Sequence, residues 1–436
     1  MPTSQSILDI VQRTAFVDTH EHLCEEAVRL AAKEGRAPGP VCDIGMLFQG
    51  YSESDLYVSG MPIELAGALN DPQIAPRDKW RHIAPHYARC RNTGYLRNIR
   101  ETVRLLYGED DVREDNCEAI SARIKALIEP GFHRYVLREV ANIDFAIVDG
   151  IVHGRVFHQT ADPDIICSDI NTLPLSTDLN IPMVALDVNR EPSSLRDWHG
   201  IIDEVFAQYG PRAVSTKNQS AYARRLDYAP VDAEDAAPLF SRYLADAKSL
   251  DAAELKALQD HLFHYCVRKA TDHALPVKLH TGFYAGHNSM PMDRLRHNIS
   301  DLCPLFMAYP NTKFVLMHIA YPYQDEAIAV AKQHANVYID MCWAWIINPA
   351  ACIRFVKEFL MAAPACKLLT FGGDYFTVEK SAGHARIARL GLAQAISELA
   401  EEGWLEEPDI QPTIERIMRG NAHELFGRQR SSASTA

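Results

Sequence analysis

His20 and His22 stand one residue apart in the stretch "FVDTHEHL", directly after a short apolar run. On an extended strand, positions two apart point to the same side, so both imidazoles can reach one ion. Imidazole and carboxylate donors suit Zn, Mn, Fe or Co alike, so these ligand types do not choose among them. Taken alone, the pair is better explained by two packed or surface histidines. Further along, however, Lys217, His280, His318 and Asp374 each end an apolar run of their own. Donors of these types repeating at strand ends point to a metal centre.

The elements that must position them are legible as apolar runs ending in polar residues: 14–20, 143–150, 181–190, 212–217, 275–280, 312–318, 336–342 and 367–374. They are near-continuous rather than alternating, which predicts parallel strands buried on both faces. Amphipathic segments such as "YQDEAIAVAKQHA" lie between most of them, with acidic residues in the first turn where the helix dipole favours them. Eight strands with helical crossovers predict an α/β fold, a (β/α)8 TIM barrel. In such a barrel the C-terminal strand ends open on one face, which gathers His20, His22, Asp149, Asp187, Lys217, His280, His318, Asp340 and Asp374. The first gap is too long for one crossover. Its helical patterns, "GYLRNIRETVRLLYG" and "NCEAISARIKALIE", predict a mainly α-helical insertion after the first strand. The expected organisation is therefore 1–23 for the first strand and metal motif, 24–142 for the insertion, 143–427 for the rest of the barrel and 428–436 for a flexible tail.

A net charge of −13 argues against nucleic acid or an anionic membrane as the main partner, since both call for a basic face. Ten cysteines are scattered without a CxxC pair, as expected of reduced thiols in a cytoplasmic protein. Met1 to Ile10 has neither the basic start nor the apolar core of a secretion signal. No apolar run approaches the roughly 18 residues that span a bilayer.

The strand-end order His-x-His, Lys, His, His, Asp resembles the amidohydrolase superfamily. The stretches that carry it are "VDTHEH", "STKNQSAYARRLDY", "LPVKLHTGF", "VLMHIAYPYQDEA", "NVYIDM" and "TFGGDYFTVE". The chain is similar to the amidohydrolase-related branch, including barrel domains fused to glutamine-synthetase-like proteins. "GYLRNIRETVRLLYG" is similar to glucuronate-isomerase-like relatives. The likeness covers most of Ala213 to Trp404 and the first strand. It implies two divalent ions, Zn, Mn or Fe: His20, His22 and Asp374 would hold the first, and His280 and His318 the second. Lys217 would bridge them as a CO2-derived carbamate, because an ammonium between two dications would be repelled. The alternative keeps Lys217 unmodified, binding a substrate carboxylate beside a single ion.

The resemblance implies a hydrolase of a C–N bond, amide or amidine, in a small carboxylate-bearing molecule. A metal-bridging hydroxide would attack, with Asp374 relaying the proton to the leaving group. Other members of the superfamily leave open a dinuclear Fe or Mn oxygenase, a decarboxylase or an isomerase, and a non-catalytic metal-bearing scaffold is a third class. Substrate-binding candidates are Tyr222, Arg224 and Arg225 beyond the fourth strand, Tyr284 and His287 after the fifth, and Trp343 and Trp345 after the seventh. For the arginines, a fork onto a carboxylate competes with a plain surface position. The expected assembly is a homo-oligomer or a pairing with a related subunit.

Overall fold

A computed structural model describes residues 4–427 except Ser289, so the tail expected at 428–436 lies outside the described residues. The strands are β1 (Phe16–Glu21), β2 (Ile143–Val148), β3 (Ile166–Asn171), β4 (Ser215–Asn218), β5 (Val277–Leu279), β6 (Phe314–Leu316), β7 (Val337–Asp340) and β8 (Leu368–Leu369). They form one sheet in the order β1-β2-β3-β4-β5-β6-β7-β8, the sequential parallel order of a (β/α)8 TIM barrel. Residues of β1, β2, β4, β5, β6 and β8 are buried throughout, which explains their lack of alternation.

The third strand is the correction. Residues 181–190, read above as a strand, form a helix over Ile181–Val188, with Asn180 capping it by accepting from Met183 N and Pro182 in the first turn. Proline needs no hydrogen-bond partner there, and its fixed φ suits the turn. The strand itself is Ile166–Asn171, whose Ser168, Asp169 and Asn171 disguise it. Asp187 consequently sits on a helix, where it accepts from Val156 N at 2.7 Å.

Helix α1 (Ser4–Arg13) precedes β1. Between β1 and β2 the chain forms α2 (Glu26–Lys33), α3 (Tyr51–Val58), α4 (Pro76–Cys90), α5 (Gly94–Tyr107) and α6 (Cys117–Leu127), with shorter helical turns. Helices α7 (Ile181–Val188), α8 (Leu195–Tyr209), α9 (Ala252–Asp272), α10 (Asn298–Ala308), α11 (Gln324–Gln333), α12 (Pro349–Ala362) and α13 (Glu379–Glu401) follow among the later strands.

The chain divides into two compact units. The first comprises Met1–Ala146, Tyr284–Met292 and Met341–Asn421. Within it, Arg29 of α2 pairs with Glu379 at the start of α13, both side chains fully buried. Thr93 caps α5 by accepting from Leu96 N. The next residue, Gly94, lies so near the turn at Ala344–Ile347 that an added β-carbon would stand 2.2 Å from the Ile346 carbonyl oxygen. After β8 the chain runs alongside β1, with Thr19 N donating to Phe371 O at 3.1 Å and Asp374 N to His20 O at 2.9 Å.

The second unit comprises Ile147–Phe283, Asp293–Asp340 and Ala422–Ala436. It holds β3 to β7 in continuous parallel register, with Lys217 opposite both Asn171 and Lys278. Lys278 of β5 donates to Asp169 of β3 at 2.8 Å, a pair with no solvent exposure, and Ser215 also donates to Asp169. All ten cysteines are free thiols. Among the described residues, no helix is long and apolar enough to cross a membrane.

Candidate metal centre

In the first unit, His20 and His22 come from β1 and the residue after it, and Asp374 from the loop after β8. Their donor atoms form a triangle: His20 Nε2 is 3.3 Å from His22 Nε2 and 3.3 Å from Asp374 Oδ1, and His22 Nε2 is 3.2 Å from Asp374 Oδ1. An ion at about 2.0–2.1 Å from each donor requires donor separations of about 2.9 to 3.4 Å, so the three fit one face of its coordination shell. His20 and Asp374 are buried, whereas the His22 side chain keeps 19% exposure and leaves the triangle partly open. Burial alone would oppose ionisation of Asp374, but hydrogen bonds from His20 and His22 and their charges hold its carboxyl well below the usual range. A two-imidazole, one-carboxylate set of this kind suits a divalent transition ion.

The placement of Asp374 follows from its neighbours. Its backbone is left-handed, with φ 64°, a conformation that aspartate tolerates better than most residues. Gly373 N donates to Asp18 Oδ1 at 3.0 Å, and Tyr375 N donates to Glu21 Oε2 at 2.5 Å. Ser381 Oγ donates to the other Glu21 oxygen at 2.6 Å. Burial first, and then the adjacent Asp18, push the Glu21 carboxyl well above its ordinary value. Glu21 therefore turns away from the donor triangle and organises the loop that carries Asp374. The glycine pair before Asp374 is steric: a β-carbon on Gly372 would press on Cys342 and Thr19, and one on Gly373 on Glu21.

In the second unit, His280 Nδ1 and His318 Nε2 lie 3.0 Å apart, while His280 Nε2 is 2.9 Å from the Phe283 carbonyl. A carbonyl on the far nitrogen fixes ring orientation and tautomer, an arrangement typical of ligating histidines. His318 has φ 65°, so the chain turns sharply at the end of β6. Lys217 lies on β4 and is buried. The Tyr222 ring packs on His280 with centroids 4.6 Å apart.

Arg224 is held by Asp260 and Gln259 and lies over the Tyr228 ring, and Arg225 pairs with Asp301. Both guanidinium groups are thus engaged by acceptors of their own unit. Tyr284 is buried, and His287 stacks on Tyr57 of α3 at 4.1 Å. Trp345 is fully buried and donates to the Thr370 carbonyl, with its ring against Gly391. Trp343 is also fully buried, and Tyr51 stacks on it at 4.6 Å. Asp340 ends β7 as a buried side chain, and Asp149 turns back to accept from Ile151 N.

Two insertion residues beside the triangle carry no ligand-type signal in the sequence. Tyr51 opens α3 and donates to the Asp374 carbonyl oxygen at 2.8 Å. Tyr95 of α5 stacks on Tyr51 at 5.4 Å. The only hint was position, since Gly50 and Gly94 each precede one of these tyrosines.

Residues 213–428 match the family described as Amidohydrolase. Protein fluG of Emericella nidulans is 29% identical over 241 residues, covering 53% of this chain and 26% of that protein. The chain thus spans about a quarter of the length of that curated relative. Among solved structures, glucuronate isomerase from Caulobacter crescentus superposes with a TM-score of 0.77 at 14% identity, covering 98% of this chain and 94% of that one. Uronate isomerase from Thermotoga maritima gives a TM-score of 0.73 at 14% identity, with 97% of each chain covered.

Proposed function

Starting from a chain that belongs to the amidohydrolase superfamily, we propose that it is a metal-dependent hydrolase cleaving an amide or amidine C–N bond in a small carboxylate-bearing molecule. The observation that carries this reading is the donor triangle of His20, His22 and Asp374, with every separation within 3.3 Å. A divalent ion bound there supplies Lewis acidity and acidifies water at neutral pH. The two imidazoles and Asp374 Oδ1 would hold it. Asp374 Oδ2 takes a proton from the attacking water and returns it to the departing nitrogen. As the oxygen–carbon bond forms and the carbon–nitrogen bond breaks, one water is consumed and one amine or ammonia leaves.

The second ion belongs to the same proposal. His280 and His318 are its ligands, supported by their 3.0 Å approach and by the carbonyl on the far nitrogen of His280. Lys217, as a carbamate, would be the sixth ligand. Metal content tests this part: two ions per chain are expected for the wild type and about one for Lys217→Ala, partly restored by short carboxylic acids. Two tightly held ions in that variant would remove the carbamate. The proposal also places the protein in the cytoplasm, which its ten free thiols support.

An isomerase of a sugar acid is the second reading, favoured by a fold shared with uronate isomerases over 97% to 98% of this chain. The metal-loaded protein should be offered small carboxylate-bearing amides, amidines and uronates without oxygen. Release of amine or ammonia, lost in Asp374→Asn by at least about a hundredfold, is the expected result. A product of unchanged mass formed from a uronate would replace the hydrolase with the isomerase. Turnover that requires stoichiometric O2 would replace it with an oxygenase.

A further inference from the structure

Asp374 sits in a left-handed backbone conformation, and the group donating to its carbonyl comes from a helix more than 300 positions earlier in the chain. That group is the Tyr51 hydroxyl, at 2.8 Å. We infer that Tyr51 is a positioning residue for the metal centre: it fixes the peptide carrying Asp374, and through it the insertion sets the geometry of the donor triangle.

Three further features hold Tyr51 at that point. Its ring stacks on Trp343 at 4.6 Å and on Tyr95 at 5.4 Å, and those two rings stack on each other at 6.3 Å, so Tyr51 belongs to one three-ring cluster. Trp343 is itself left-handed, with φ 63°, and its amide donates to Gly372 O at 2.9 Å, tying the stack to the loop that contains Asp374. Just before Tyr51, the Gln49 carbonyl accepts from Lys380 Nζ at 2.9 Å, which fixes the entry to α3. The hydroxyl is therefore delivered by a preorganised arm rather than by a free side chain.

The inference rests on Asp374 being a ligand, and the test separates the two. The apo full-length chain is titrated with Co2+, reading the visible d–d bands and the affinity. Tyr51→Phe keeps the ring stack and removes only the hydroxyl. It is expected to bind Co2+ about fivefold more weakly, the weight of one hydrogen bond, with an altered d–d envelope. Tyr57→Phe, in the same helix with its hydroxyl on Glu53 at 3.0 Å, is expected to match the wild type. An unchanged affinity and spectrum in Tyr51→Phe would overturn the inference while leaving the ligand reading intact. Equal weakening in Tyr57→Phe would also overturn it, because the effect would then belong to the helix and not to the hydroxyl. If the wild type takes up no Co2+, or His20→Ala binds as well as the wild type, the ligand reading itself fails.

Discussion

The Glu21 carboxylate fills the space where a β-carbon on Gly373 would project, leaving 2.0 Å between that carbon and Glu21 Oε1. One residue of the first strand therefore dictates the residue type next to Asp374. The same carboxylate accepts from the Tyr375 amide on the other side of Asp374, so Asp374 is bracketed by contacts to a single buried acid.

Gly373→Ala should accordingly disturb the centre without touching a donor atom. Overpacking in a close-packed interior costs about 1 to 3 kcal/mol, and here the shift must propagate into Asp374. Urea unfolding should show that loss, and equilibrium dialysis should show weaker metal uptake. A variant as stable and as metal-rich as the wild type would mean that Glu21 moves aside freely.

Lys278 and Asp169 form an ion pair with no solvent exposure on either side. Removing one member leaves a buried charge without its counter-ion, which costs about 3 to 5 kcal/mol. Lys278→Met should show that loss in chemical denaturation. Joint replacement of both residues by apolar side chains should recover most of it, since the cost lies in a buried carboxylate that has lost its counter-ion.

Burial lowers the pKa of Lys380 from 10.5 to about 8. Between those values the unfolded chain holds a proton that the folded chain has released, so this group makes stability rise as pH increases from about 8 to 10.5. Below about 8 both states are protonated and its contribution stays constant. The stability of the wild type minus that of Lys380→Met should therefore climb across this window. A flat difference would show that the ammonium is solvated in the native state.

Chelation should lower the melting temperature, and added divalent ion should restore it in proportion to the logarithm of its concentration, because the ion binds the native state preferentially. His22→Ala should blunt that response. An identical melting curve with and without chelator would indicate that the donor triangle holds no ion in solution.

Seven of the eight strands were legible because their runs are apolar and end in chemistry-bearing residues. The third was not, for a reason visible in the structure. Inside β3, Asp169 pairs with Lys278 from 109 residues away, and no local pattern reveals such a partner. Residues 181–190 misled in the opposite sense: their apolar run suggested a strand, yet Asn180 and Pro182 start a helix. The histidines and Asp374 could be picked out by type and position. Tyr51 could not, since a tyrosine that donates to a main-chain carbonyl looks like any other aromatic residue. The ion-pair partners Asp260 and Asp301 of Arg224 and Arg225 were hidden in the same way.

Gly94 sets a limit on how the segment between the first two strands can be exchanged. Helix α5 rests main chain to main chain on the turn at Ala344–Ile347, with no room for even a methyl group at the point of contact. A chimera carrying another barrel's insertion must bring a bare α-carbon to that seat. Otherwise the whole graft rides up, and its aromatic arm misses the loop it has to reach.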